Sequence, residues 1–203
     1  MKKIAILGCG GHSKVVVDII YEIGNYEIIG IYDDYKEGFF ETIPILGKIT
    51  DITNSKIDID CYIIAIGNDL VRKNIYEKYI TLNWEILIHP KSTISKKTKI
   101  DVGTIICAGV IIQPDVNIGK HCIINTGSSI DHESKIGDFT SICPKATICG
   151  QVTIGSSSFI GANSTIIQCL NIGQNCIIGA GSVIIRNIEN NCKVVGNPGK
   201  LLK

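Results

Sequence analysis

Isoleucine returns at every sixth position from Ile88 to Ile184, seventeen times without a slip. Neither the 3.6-residue period of an α-helix nor the two-residue period of a strand generates such a rule, and a helix would scatter these side chains over all its faces. A chain that makes three short straight runs per coil and turns one side chain inward on each run does need it. At three sixes per coil, the register predicts about five stacked coils.

Other positions of the six follow the same rhythm. Two residues before each isoleucine stands a small or apolar residue, such as Thr104, Val110, Val116, Cys122, Ser128, Val152, Ser158 or Cys176. One residue after it, glycine recurs at 119, 137, 155, 161, 173 and 179, where it is expected to turn the corners because φ > 0 costs it little. Coils of this kind leave two open ends. The first half of the chain is expected to cover one, with Trp84 to Pro90 as the junction, and the tail from Ile185 must cover the other or leave it bare.

Residues 1–84 read differently. Ile4-Ala5-Ile6-Leu7 is a buried strand, Gly8-Cys9-Gly10-Gly11-His12 a tight turn, and the segment from Ser13 to Ile23 an amphipathic helix. Ile28 to Tyr32 forms the next strand, ending at Asp33-Asp34. Free N–H groups at a helix start beside a parallel sheet edge suit a phosphate, and an acidic residue ending the second strand suits sugar hydroxyls. His12 stands where the glycines open toward a ligand. Ser13 replaces the last glycine of G-x-G-x-x-G, and the unit closes soon after Ala65-Ile66-Gly67-Asn68. That length holds one mononucleotide-sized site and argues against a complete dinucleotide enzyme.

Twenty basic against nineteen acidic residues leave a formal charge of +1, so no nucleic acid or acidic membrane partner is expected. Nine cysteines, an odd number without a C-x-x-C pair, read as free thiols, with no disulfide framework and no metal site expected. The apolar stretch after Met1-Lys2-Lys3 is too short for a signal peptide, no run is long enough to cross a bilayer, and a cytoplasmic setting is expected.

Several motifs together resemble the sugar O- and N-acetyltransferases among the hexapeptide acyltransferases, the sialic acid O-acetyltransferase and UDP-4-amino-sugar N-acetyltransferase type. They are Gly8-Cys9-Gly10-Gly11-His12-Ser13-Lys14, Asp33-Asp34, Ala65-Ile66-Gly67-Asn68 with Arg72, and His89-Pro90. Further on come Asn125-Thr126-Gly127-Ser128-Ser129-Ile130-Asp131-His132-Glu133, Ile136-Gly137-Asp138-Phe139 and Gly196-Asn197-Pro198-Gly199. The resemblance covers essentially the whole chain. It implies an α/β Rossmann-like N-terminal domain (1–84) followed by an all-β left-handed parallel β-helix of hexapeptide repeats with a C-terminal tail (85–203). Handedness comes from the resemblance alone. It further implies a homotrimer, with acetyl-CoA in the groove between neighbouring coils and a role in surface glycan biosynthesis. His132 corresponds to the general base and Glu133 to the residue that raises its basicity. Acceptor contacts fall on Gly10, Gly11, His12, Asp33, Asp34 and Gly67, and CoA contacts on Ser141, Gly150, Ala162 and Ala180. Relatives often carry histidine where Ser141 stands, and alanine in place of Gly199.

Acetyl transfer from a thioester needs an attacker relieved of its proton, and imidazole titrates near neutrality. A carboxylate on the other ring nitrogen would hold the tautomer; Glu133 and Asp131 both qualify. Neighbours on a strand point to opposite faces, so that carboxylate reaches a histidine either through a turn or across a subunit boundary. The Gly150 N–H could stabilise the oxyanion. Asn125 and Asn163 suit amide ladders or a groove lining. His121, at a corner beside Lys120, reads as an exposed histidine without a role, and His89 as a structural cap of the junction. The leading reading is N-acetylation of a nucleotide-linked amino sugar. Two alternatives stand beside it: O-acetylation of sialic acid or a related sugar, and a non-catalytic sugar-nucleotide-binding β-helix.

Overall fold

The computed structural model describes residues 1–202. Its first part is a five-stranded sheet flanked by two helices. β1 (Lys2–Leu7), α1 (Gly11–Ile23), β2 (Tyr26–Tyr32), β3 (Phe39–Phe40), β4 (Ile43–Gly47), β5 (Cys61–Ile64) and α2 (Asp69–Lys78) follow in order. The spatial order is β3-β4-β2-β1-β5, parallel except for the short β3–β4 hairpin. Near-continuous aliphatic runs in β1 and β5 suit strands covered on both faces. The last contact of this sheet is a bridge from Tyr62 to Trp84.

From Leu87 onward two-residue strands stack in three parallel sheets. Ile112 pairs with Ile94 and Ile130, Ile118 with Ile100 and Ile136, and Ile124 with Ile106 and Ile142. Partners are eighteen residues apart, which is three sixes per coil as the register requires. We call the faces first (through Ile106, Ile124, Ile142), second (through Ile112, Ile130, Ile148) and third (through Ile118, Ile136, Ile154). The isoleucines from Ile106 to Ile184 are buried in one column, each worth about 1.5–3 kcal/mol over an exposed side chain. Small residues two positions earlier do a second task at the corner between third and first faces. There Thr104, Thr140 and Ser158 donate to the carbonyls of Gly119, Gly155 and Gly173, and the Cys122 thiol reaches Gly137 O at 3.2 Å. Buried corner carbonyls would otherwise lack partners.

The glycines after isoleucine serve another purpose than the expected one. The left-handed positions lie three residues after isoleucine, and most carry side chains: Asp115, His121, Glu133, Phe139, Lys145, Gln151 and so on to Asn175, with glycine at 103, 109, 127 and 181. Stacking compensates the local cost, since from His121 onward the N–H at these corners donates to the coil beneath, as Glu133 does to Pro114 O at 3.1 Å. Gly119 and Gly137 are small because coils touch there: a Cβ would come within 2.7 Å of Asp138 N and 2.5 Å of Ser156 N, respectively.

The first part does not cover the open end of the coils. It packs sideways on the first face, where Leu87, Ile105 and Cys107 join the cluster of Ile4, Ile6, Val16 and Ile20. Outward apolar residues in the early first-face strands make lateral packing the favourable choice, and Ile88, in the terminal coil, stays 39% exposed. The tail does cover its end. Lys193–Val195 adds to Ile177–Ile178, and Lys200–Leu201 folds back antiparallel on it. A Cβ at Gly199 would stand 2.7 Å from Ile184 Cδ1 and 2.9 Å from Val194 Cγ1, so the tail packs closely there.

Arg72 joins the two parts. It is 1% exposed, and its five N–H groups donate to Ile66 O, Gly67 O, His121 O, Phe139 O and Ser141 Oγ at 2.7–3.2 Å. Burial lowers its pKa to about 10, so it remains a cation at neutral pH. The expectation for His121 fails here. Its ring is 0% exposed, stacked on Phe139 and edge-on to Trp84, because α2 lies over that corner. His89 does cap the junction: it is buried, and its Nδ1 accepts from Lys91 N–H at 3.0 Å.

Candidate active site

A cleft of about 520 Å³ opens at the carboxyl ends of β1, β2 and β5. Gly8 to His12, Asp33, Asp34 and Gly67 line it, bringing the six expected acceptor contacts together. A Cβ on Gly10, Gly11 or Gly67 would meet nothing within 4 Å, so these glycines keep the cleft open and are not forced by packing. Ser13 explains the departure from the third glycine. Its buried hydroxyl donates to Gly8 O at 2.7 Å and accepts from Gly10 N–H at 3.0 Å, fastening the loop.

Asp33 is also a fastener. It accepts from Cys9 N–H at 2.7 Å and from the N–H groups of Tyr35 and Lys36 at 2.9 and 3.0 Å. Asp34 is exposed and accepts from Ile49 N–H, leaving it the freer carboxylate for a sugar hydroxyl. Burial, reinforced by the Arg72 charge, lowers the His12 pKa to about 4. The imidazole is thus neutral at pH 7, and its Nε2 is buried without a hydrogen-bond partner among the described residues. A buried polar atom of that kind is available to a ligand. Tyr35, 96% exposed at the rim, and Lys78 also line the cleft, although nothing in their local pattern marked them.

His132 stands elsewhere, on the corner between the second and third faces. Its Nδ1 is 3.1 Å from Glu133 Oε2. The pair forms through a turn: φ of +59° at Glu133 swings its carboxylate back toward the preceding ring. Asp131 is committed to the turn, its Oδ1 accepting from His132 N–H at 2.8 Å, which leaves Glu133 as the ring's partner. Glu133 is held below the usual carboxylate range, first by a hydrogen bond from Gln151 and then by His132. One coil on, a Cβ at Gly150 would lie 2.7 Å from His132 Nε2, so glycine is what lets the ring rest there.

The expected CoA contacts are divided. Gly150 shares the corner of His132. Ala162 and Ala180 stack eighteen apart on the corner between first and second faces. Ser141 is buried on the first face, where its hydroxyl accepts from Arg72. Asn125 Oδ1 accepts from its neighbour Thr126, and the amide ladder observed is Asn175 to Asn191 instead.

Comparisons place this architecture among known proteins. The family described as the PglD N-terminal domain matches residues 3–79, bacterial transferase hexapeptide (six repeats) matches 133–168, and the hexapeptide repeat of succinyl-transferase matches 151–186. The acetyltransferase domain of PglB from Neisseria gonorrhoeae, solved with acetyl coenzyme A, is 31% identical with a TM-score of 0.94, each chain covered over 99%. The chain belongs to the hexapeptide-repeat sugar acetyltransferases. Its coils are accordingly the left-handed parallel β-helix of that family, set behind a Rossmann-like domain. PerB from Caulobacter crescentus, solved with CoA and GDP-perosamine, is 27% identical with a TM-score of 0.91, over 100% of this chain and 98% of its own. UDP-N-acetylbacillosamine N-acetyltransferase of Bacillus subtilis is 35% identical over 53% of this chain and 52% of its own length. The chain spans about half or less of the length of the curated relatives it matches. No helix among the described residues is long and apolar enough to cross a membrane.

Proposed function

We propose that this acetyltransferase moves the acetyl group of acetyl-CoA to the amino group of a UDP-linked 4-amino sugar, with His132 as general base, in the assembly of surface glycans. The observation that carries this reading is the His132–Glu133 pair resting on Gly150. Residues 1–84 would bind the nucleotide sugar, and residues 85–203 would carry acyl transfer. The similar Bacillus enzyme is named for a UDP sugar, and the similar PglB and PerB structures hold acetyl-CoA or CoA.

The groups present fit these ligands. Ala162 and Ala180 carry only small side chains along the coils, and the Gly150 N–H, beside the His132 ring, would serve the oxyanion. Acetyl-CoA supplies a thioester acyl carbon. His132 Nε2 accepts the proton of the attacking amine as the C–N bond forms, and returns a proton to the sulfur as the C–S bond breaks. Nδ1–H donates to Glu133 throughout, which fixes the tautomer.

The fold supports a site shared between copies. The first part covers the first face, whereas His132 stands on the opposite corner of the triangular coil. A six-residue side spans at most about 20 Å, which puts that corner on the order of 15 Å from the first face. No histidine side chain reaches that far, so the acceptor held by one copy would meet His132 of another, in a homotrimer. CoA would then touch Gly150 of one copy and Ala162 and Ala180 of the next. Ser141, occupied by Arg72, would contribute less. A cytoplasmic setting suits the nine free thiols.

The test is thiol release from acetyl-CoA with UDP- and GDP-linked amino sugars beside sialic acid. The expected result is turnover on a UDP-amino sugar, lost in His132→Ala while the fold persists. Turnover confined to a hydroxyl acceptor would reject the amine, and turnover retained without His132 would reject the base.

A further inference from the structure

Corner residues eighteen apart stand in columns, and the column through Glu133 continues to Gln151 and Cys169. Gln151 Nε2 donates to Glu133 Oε2 at 3.0 Å, the oxygen that also faces His132 Nδ1. The main-chain N–H of Gln151 donates to His132 O at 2.9 Å. One residue therefore holds both the backbone of His132 and the carboxylate beside its ring. Cys169 Sγ lies 3.3 Å from Gln151 Oε1, and a thiol donating there turns the amide so that its NH2 group meets the carboxylate.

We propose that Gln151 is a positioning residue for acyl transfer, keeping Glu133 aligned on Nδ1 of His132 so that Nε2 stays free to take the amine's proton. This rests on His132 being the general base. Glu133 is half-exposed, and without its tie to Gln151 the carboxylate gains rotamers that turn it to water. The ring then spends less time in the reactive tautomer and orientation, which lowers kcat and leaves substrate binding alone.

The backbone of Gln151 offers a clean test. Its φ is +59°, a conformation asparagine adopts more readily than glutamine, while asparagine is one methylene too short to reach Glu133. Gln151→Asn is expected to melt at the wild-type temperature or above, yet to lose about 5- to 10-fold in kcat with both KM values unchanged. Gln151→Met should lose as much. In a Glu133→Gln background, adding Gln151→Asn should change kcat by less than about 2-fold, because the residue acts through Glu133. Wild-type kcat in both variants, a loss expressed in KM, or full additivity with Glu133→Gln would overturn the assignment. His132→Ala is measured alongside. If it retains turnover, the general-base reading itself falls. If it is silent while the Gln151 variants match wild type, only the positioning role falls.

Discussion

Glu133 reaches His132 only because its backbone takes the left-handed conformation; in an extended strand the two neighbours would face apart. His121 also stands three residues after an isoleucine, at the next corner round the coil, with φ of +50°, and meets the opposite fate. Covered by α2, it loses both ring-nitrogen partners, and burial together with the Arg72 charge lowers its pKa to about 4. His12 is lowered to about 4 for the same reasons. Both groups bind protons more readily in the unfolded chain, whose pKa is near 6.5. Their neutral forms fit the fold, so stability is complete above about pH 6.5 and is lost as pH falls toward about 4. Calorimetry across that window should show a falling Tm. His121→Phe should flatten part of the fall and, by removing unpaired buried nitrogens, hold or raise Tm at pH 7 by about 1 kcal/mol of stability. A wild-type Tm that stays level down to about pH 4.5 would contradict this assignment.

Each six-residue element combines an inward isoleucine, a corner residue in the left-handed region and, where coils touch, a glycine. Gly137→Ala would drive a Cβ to 2.5 Å from Ser156 N and should destabilise by about 1–3 kcal/mol, read from denaturant midpoints. Gly109→Ala would make only an ordinary contact, 3.7 Å to Gly127 Cα, but has φ of +69° and should cost nearer 1 kcal/mol. Equal costs would mean that conformation and not contact selects these glycines. The isoleucine register made the coil and its eighteen-residue pairing legible from the chain alone, because every repeat must fill the same interior. It did not reveal which glycines stack and which bend, since that depends on the distance between coils. Nor did it show where the first part docks: Leu87, Ile105 and Cys107 look like ordinary coil residues until β1 and α1 cover them. Gln151 was within reach, standing eighteen residues after Glu133, but only its orientation shows that the two side chains meet.

At the scale of the whole molecule, one fold carries a cleft and a histidine–carboxylate corner that do not meet. The cleft, its glycines and Asp34 were legible as one cluster, and Asp131-His132-Glu133 as a polar group on the coils, since both rest on local motifs. Their separation was not, because it follows from the first part lying flat on the first face while His132 occupies the far corner. The central claim is that one copy presents the acceptor and another removes its proton. It is tested most directly by co-expressing His132→Ala with Gly11→Phe, a change that fills the cleft where a Cβ has open space. Each variant alone should be silent. The co-expressed population, assembled at random, should recover about a quarter of wild-type turnover, the chance that an intact cleft in one copy adjoins an intact His132 in the next. Mixed oligomers as silent as their parents would contradict a shared site and return the reaction to a single chain.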